Sequence, residues 1–328
     1  MNDGKKIRVT LIYKSTYNFF QPTHFDRTSY DFFFTALQRN PKLDMKYICE
    51  DDSLDITKLK GNTDIILLPN NHTSAVPEKL EGVKNSSIPI FARTGDPHAA
   101  KRFGQIELHE KWKIDCYFGK DPPSYFYKYY PKNFRYKIII FGLEPSLYQN
   151  LKPFNDRIKD RILNSGNVGK TSIVSRVVNA VLNPKRSGWY FYKLRTKCNY
   201  LSYVDHSKIK GNQYPTLDYP QYLSQYRAGI AATTYYPTQK YWEIPAAGCL
   251  TFMEITEKND GGYLGFIDNK SSIFIDERNY KKKFEEFLND PDNPKWAEIA
   301  NAGREHVQNN LTNDVAMEKL VELFNEYI

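Results

Sequence analysis

Tyr235-Tyr236-Pro237-Thr238-Gln239-Lys240-Tyr241-Trp242-Glu243-Ile244-Pro245-Ala246-Ala247-Gly248-Cys249-Leu250 reads as a turn, a short helix and the start of a buried strand. Thr238 is a natural N-cap, which leaves the N–H groups of Gln239 and Lys240 without partners inside the helix. Such a helix start attracts phosphate, and Lys240 adds a full positive charge beside it. One turn further in, Glu243 is the only carboxylate of an otherwise small and apolar segment, placed to accept two hydrogen bonds from a diol such as a ribose. Ala246, Ala247 and Gly248 keep the helix thin enough to lie close to a sheet, and Gly248 supplies the stop. Phosphate at the tip and ribose one turn later amount to a nucleoside-diphosphate site, with Tyr236 as a further contact. The ordinary alternative for Glu243 is a helix-start carboxylate that answers only the helix dipole.

Working outward, strands and helices alternate on both sides of this segment. Strand patterns are expected at Ile7–Tyr13, Met45–Cys49, Asp64–Leu68, Ile88–Ala92, Ile114–Phe118 and Lys137–Gly142, with a helix at Ser29–Arg39. In the second half, strands are expected at Arg161–Ser165, Gly188–Tyr192, Tyr200–Val204, Ile230–Thr233, Leu250–Ile255 and Ser272–Ile275. Helices are expected at Ser172–Leu182, Tyr219–Arg227 and Tyr280–Leu288, with two more at the end broken around Asn310–Thr312. In the last of them Val315, Leu320, Phe324 and Tyr327 face a core. Alternation of this kind predicts α/β architecture with parallel sheets covered on both faces.

Composition sets the outer limits. A chain of 328 residues suffices for two domains, each with its own core. No stretch is long and apolar enough to span a membrane, and MNDGKKIRVTLIY runs straight into a strand without a signal peptide. Cys49, Cys116, Cys198 and Cys249 are scattered, which predicts reduced thiols in a cytoplasmic setting. The formal net charge of +8 favours phosphates, nucleotide sugars, anionic lipid surfaces or nucleic acid, although a Lys- and Asn-rich composition gives the same balance without a special partner.

The run Lys240–Leu250 resembles the (F/Y)-E-x-x-A-x-G segment of GT-B glycosyltransferases of the group-1 type (family 4) and their spore-maturation-protein-like relatives. In that family the glutamate holds the ribose of a nucleotide-sugar donor. One departure stands out: the family carries another glutamate eight positions earlier, near the donor sugar, and this chain has Tyr235 there. Gly142-Leu143-Glu144-Pro145-Ser146-Leu147-Tyr148 is similar to the segment that closes the N-terminal domain of such enzymes. The resemblance implies two Rossmann-like domains with parallel sheets facing across a cleft. Residues 1–149 form the acceptor side and 150–328 the donor side, and the last helix packs back on the first domain. It also implies a glycosyltransferase moving a sugar from a UDP- or GDP-linked donor to a hydroxyl of a glycan, glycoconjugate or other acceptor, without a required metal or cofactor.

Asn164–Ser172, NSGNVGKTS, carries a second phosphate signal. In the family a glycine turn after the first strand of the donor domain faces the diphosphate, and Gly166 and Asn167 match it by position. Asn167 replaces the usual arginine, so Lys170, Arg176 or Lys240 must supply the charge. The same run also resembles a P-loop, which would make the chain an NTPase or nucleotide switch using Gly169 and Lys170. Against that stand Asn164 at the first glycine position, the charged strand before it and the missing aspartate at Asn269-Lys270.

On the other side, Ala92-Arg93-Thr94-Gly95-Asp96-Pro97-His98 follows a strand, and ligands of open α/β sheets collect at the carboxyl ends of strands. Asp96 is the first candidate for activating an acceptor hydroxyl and His98 the second, against a plain Gly-Asp-Pro turn. Ser124–Lys137 interleaves aromatic and basic residues and is an acceptor-side candidate. Asp51-Asp52 reads as a turn, and no histidine pair has ligand spacing, so no metal is expected. Two further alternatives are a catalytically silent GT-B scaffold and a nucleic-acid binder, the latter the weaker, with peripheral membrane contact compatible with all of them.

Overall fold

Every strand of the two main sheets runs parallel to its neighbours. The computed structural model describes residues 5–17, 31–169, 172–182, 188–207 and 218–328. Two units emerge from it, Met1–Gly142 with Asn313–Ile328, and Leu143–Thr312.

In the first unit the chain runs β1 (Ile7–Tyr13), α1 (Asp31–Arg39), β2 (Leu43–Cys49), β3 (Ser53–Asp55), β4 (Ile65–Leu68), β5 (Lys79–Glu81), β6 (Ile90–Arg93), α2 (Glu107–Trp112), β7 (Cys116–Gly119), α3 (Pro123–Phe126) and β8 (Tyr136–Ile138). Six of these strands form a sheet in the order β2-β1-β4-β6-β7-β8, and β3 pairs with β5 separately. The apolar runs of β1 and β4 divide by parity. Val9, Leu11, Ile65 and Leu67 enter one core, Ile12, Ile66 and Leu68 the other. Burial on both faces is why these strands read as continuous hydrophobic runs rather than alternating ones. The first core is completed by Phe33, Phe34 and Leu37 of α1 together with Met317, Leu320 and Phe324. Those last three come from the final helix of the chain, and the Phe324 ring meets the Phe91 ring edge-on at 5.0 Å.

Two expectations change here. Lys137–Gly142 does not continue as a strand: β8 ends at Ile138, and only Ile139 N–H still bonds the sheet, donating to Gly119 O at 2.8 Å. An edge strand has one partner, and Gly142 turns away at φ +105°, so little holds the run extended. The aromatic rings of Ser124–Lys137 are largely spent on one another. Phe126 stacks on Tyr130 and Tyr136 at 4.4 and 4.0 Å, and Tyr130 and Phe134 are buried.

The second unit runs β9 (Ile158–Ser165), α4 (Ile173–Leu182), α5 (Gly188–Phe191), α6 (Lys193–Cys198), β10 (Val204–Ser207), α7 (Tyr219–Leu223), β11 (Tyr226–Ala231), α8 (Lys240–Ala246), β12 (Leu250–Glu254), β13 (Ile273–Ile275), α9 (Tyr280–Asn289) and α10 (Pro294–Asn310). The final helix, α11 (Asn313–Asn325), belongs to the first unit. The sheet order is β10-β9-β11-β12-β13, so the chain steps from β9 to one side and then returns to the other. The reversal opens a crevice at the carboxyl ends of β9 and β11.

Gly188–Tyr192 is helical at Gly188–Phe191 rather than a strand, and Tyr200–Val204 is mostly turn before β10. Their aromatic, strand-favouring composition is overridden by packing, because Leu194 and Cys198 of the unforeseen α6 fill the core beside Val204. Helix α7 stops at Leu223, and Arg227 lies in β11. Helix α4 differs from its neighbours, since Ile173, Val174, Val177, Val178 and Val181 are exposed. Among the described residues no helix is long and apolar enough to cross a membrane.

Candidate functional site

The crevice between β9 and β11 gathers cations around a glycine. Gly166 follows β9 at φ +90°, a conformation open to glycine. A Cβ there would lie 2.7 Å from Lys240 Cε, 3.0 Å from its Nζ and 3.4 Å from Arg195 Nη2. Its carbonyl is tied to His206 Nε2 at 2.9 Å. Lys240 donates to Tyr219 Oη at 2.9 Å and to Ser165 Oγ at 3.4 Å, and those two hydroxyls are 2.8 Å apart.

Arg195, 1% exposed, is fixed from three directions. Its Nε donates to Asn164 Oδ1 at 3.0 Å, its Nη2 donates to Ser165 O, and Asn164 Nδ2 donates back to Arg195 O at 2.9 Å. Burial lowers its pKa, but a guanidinium keeps its proton at neutral pH. Burial, followed by the charge of Arg195, pulls the Lys240 ammonium down to about 8, while Glu243 works the other way. Two cations held beside one half-buried carboxylate leave a local excess of positive charge, the electrostatic condition for an anion site.

Helix α8 carries Lys240 and Glu243 and is placed by small residues. Gly229 of β11 makes room for Ile244, whose Cγ2 would lie 2.9 Å from a Cβ added there. Gly248 ends the helix at φ +71°: its N–H bonds Pro245 O at 2.8 Å and Cys249 N–H bonds Ile244 O at 3.4 Å, a Schellman pair. Arg157 clamps the same end by donating to Gly248 O at 2.9 Å. At the other end the helix starts one residue later than expected. Gln239, not Thr238, is the N-cap, and no side chain caps it. The Thr238 carbonyl already accepts from Tyr241 N–H at 2.9 Å in a tighter turn, which displaces the boundary. Glu243 sits near two buried phenols, Tyr148 and Tyr219, whose pKa values are raised by burial first and by its charge second.

The structure thus brings Gly166 and Lys240 together, with Glu243 on the same helix as Lys240. Asn167 is exposed in the loop after Gly166, Thr238 is half-buried, and Tyr236 is buried against Phe191 at 5.2 Å. Lys170 and the side chain of Arg176 lie outside the described residues. Arg195, Tyr219, Ser165 and His206 escaped the sequence reading; the only local hint was a cation-rich stretch, Lys193–Lys197. The P-loop alternative loses one of its backbone donors, since Gly169 N–H is bonded to Thr196 Oγ1 at 2.8 Å.

In the first unit, Asp96 and His98 lie in the loop after β6. Asp96 is exposed and makes no side-chain cap bond, while its carbonyl accepts from Ala99 N–H at 2.9 Å. Arg93, 2% exposed, fastens the loop base by donating to Pro69 O at 2.6 Å, Thr94 O at 3.1 Å and Tyr17 Oη at 2.9 Å. Asp51 accepts from Ser15 N–H and Oγ at 2.8 and 2.7 Å, as a turn residue does.

Residues 186–322 match the family described as glycosyl transferase-like. Among solved structures, a glycosyltransferase from Rickettsia africae ESF-5 is similar with a TM-score of 0.55 at 11% identity, over 99% of each chain. The sucrose-phosphate synthase of Thermosynechococcus elongatus gives 0.55 at 12% identity, covering 98% of this chain and 99% of that one. Anabaena Alr3699/HepE in complex with UDP and glucose gives 0.53 at 10% identity, covering 98% and 100%. No curated protein matches by sequence. Identities this low speak for the fold, and the fold is GT-B.

Proposed function

We propose that this GT-B glycosyltransferase takes its sugar from a UDP- or GDP-linked donor held by residues 143–312 and passes it to a hydroxyl of a glycan acceptor held by the first unit. The observation that carries the reading is the pair Lys240 and Arg195 flanking Gly166 at the strand-order reversal. A diphosphate seated there meets two fixed positive charges beside Gly166. Both cations stabilise the charge that grows on the diphosphate as the glycosidic bond breaks, an electrostatic contribution that needs no rearrangement at the moment of reaction. Glu243, one turn along α8, accepts the two ribose hydroxyls. Asn167, Thr238 and Tyr236 border the nucleotide, and Lys170 and Arg176 are candidates for further positive charge. Asp96, with His98 as the alternative, accepts the proton of the acceptor hydroxyl. With the leaving group neutralised by side chains, transfer persists in EDTA. The four free cysteines support a reducing, cytoplasmic setting.

A thermal-shift screen with UDP, GDP, ADP and CMP tests the donor side, because a ligand that binds only the native state raises its melting temperature. One diphosphate stabilises the protein, and Glu243→Ala abolishes that shift while Arg195→Ala and Lys240→Ala each weaken it at least tenfold in affinity. An undiminished shift in Glu243→Ala removes the ribose role.

A further inference from the structure

Three loops at the carboxyl edge of the first unit's sheet hold acceptor atoms that the protein itself leaves unsatisfied. After β7, Asp121 is only 5% exposed, yet among the described residues its carboxylate has no hydrogen bond or ion pair. It precedes Pro122 and Pro123, but α3 has Pro122 as its N-cap and no side-chain cap bond, so Asp121 does not serve as a helix cap. After β6, the exposed Asp96 carboxylate is likewise unused as a cap. After β4, Asn70 Oδ1 is buried without a partner, 3.0 Å from where a Cβ on Gly95 would stand. Several polar groups around them bond one another. Asn71 Nδ2 donates to Tyr130 Oη at 2.6 Å, Tyr130 donates to Gln105 Oε1 at 2.6 Å, and Gly95 N–H donates to Asn71 Oδ1 at 3.1 Å.

Buried polar atoms are nearly always paired, and leaving a carboxylate dry and unpaired is expensive. The Asp121 and Asp96 carboxylates accept, and the Asn70 amide accepts through Oδ1 and donates through Nδ2, so their complement is a molecule with several donors that can also accept, as a hydroxyl does. Lys120, next to Asp121, already supplies positive charge, which favours neutral hydroxyls over an ammonium. We propose that Asp121, together with Asp96 and Asn70, binds a hydroxyl-rich carbohydrate, which makes Asp121 a positioning residue for the glycosyl acceptor. The assignment rests on the transferase reading above and adds the residue and the ligand chemistry on the acceptor side.

Burial is the main reason the Asp121 carboxyl titrates high, pushed up to about 7; Asp96 raises it further and Lys120 opposes. Facing it from other elements are Tyr125 of α3 and Tyr130, both raised far above neutrality by burial. Tyr136 of β8 donates to the Asp121 carbonyl at 2.7 Å. His98 lies in the Asp96 loop and is common to both proteins compared.

The test uses the full chain saturated with its preferred nucleoside diphosphate and titrated with methyl α-glucoside, methyl β-galactoside and methyl β-N-acetylglucosaminide, with 1,4-diaminobutane as the cationic control. At least one glycoside binds saturably, and Asp121→Asn weakens it tenfold or more. Wild-type affinity rises up to roughly tenfold between pH 6 and pH 8 as the carboxylate ionises, and Asp121→Asn lacks that increment. Should Asp121→Asn fail to fold, Asn70→Ala removes one acceptor without touching either carboxylate and still lowers glycoside affinity severalfold. Equal glycoside affinity in wild type and variant overturns the proposal, as does binding of the diamine in place of every glycoside, or binding of no glycoside at all. The nucleotide-induced stabilisation reports separately on the second unit. Its loss in the wild type counts against the donor reading, whereas glycoside failure with that stabilisation intact counts against the Asp121 site alone.

Discussion

Lys240 reaches Gly166 across the sheet reversal, and its ammonium is the titratable member of the cation pair. Held near 8 by burial and by Arg195, it is charged at pH 7 and loses its proton as pH rises past that value. Affinity for the preferred nucleoside diphosphate therefore falls between pH 7 and pH 9, by at most about tenfold per pH unit. Lys240→Arg fixes the charge and flattens the decline, which calorimetric titration at three pH values would read; parallel slopes in both proteins rule out the lysine. Gly166 and Lys240 were legible in the sequence because each sits in a local pattern, a glycine turn after a strand and a cation at a helix start. Arg195 was not. Its importance comes from Asn164 and Ser165, some thirty positions earlier, and from its burial on a helix whose neighbours favour strands.

Helix α10 can lie against the Ser271 backbone because it presents a glycine there. A Cβ on Gly303 would lie 2.4 Å from the Ser271 carbonyl oxygen and 3.5 Å from Pro245 Cβ. Helix propensity alone favours alanine over glycine by about 1 kcal/mol, but a methyl group pressed against backbone costs more. Gly303→Ala is therefore destabilising by about 1–3 kcal/mol in urea unfolding. Gly262→Ala, where a Cβ meets nothing within 4 Å, stays close to wild type. Equal stability of the two variants would remove the close-packing argument. The end of α8 was readable from Gly248, a single residue with a single conformational reason. Its start slipped by one position because a backbone turn bond at Thr238 competes with side-chain capping. Strands β1, β2, β4, β6, β7, β12 and β13 were read to within two residues, since buried strands write themselves as hydrophobic runs, whereas β8, β9, β10 and β11 were misplaced by more. Helices α5 and α6 were missed because tertiary packing of Leu194 and Cys198, which no short window contains, decides them.

At the scale of the whole chain, the first unit is built from both ends of the sequence. Its core sets Phe91 against Phe324, and Leu320, Met317 and Val321 lie among the strand side chains of β1, β4 and β6. Arg39 and Lys42 pair with Asp314 and Glu318 on the surface of the same unit, but exposed ion pairs add little beside that apolar contact. A chain lacking residues 313–328 accordingly keeps a nucleotide-dependent melting transition from residues 143–312 while the first unit becomes sensitive to limited proteolysis. Loss of the nucleotide response in that truncation, or a protease-resistant first unit, would contradict the division. During synthesis the consequence is one of timing. Nearly all of the first unit is synthesised before the second, yet the segment that seals its core follows the entire second unit. Until then an oily sheet face stands uncovered, a natural client for chaperones, and premature termination ahead of residue 313 would cripple a unit whose strands were made long before.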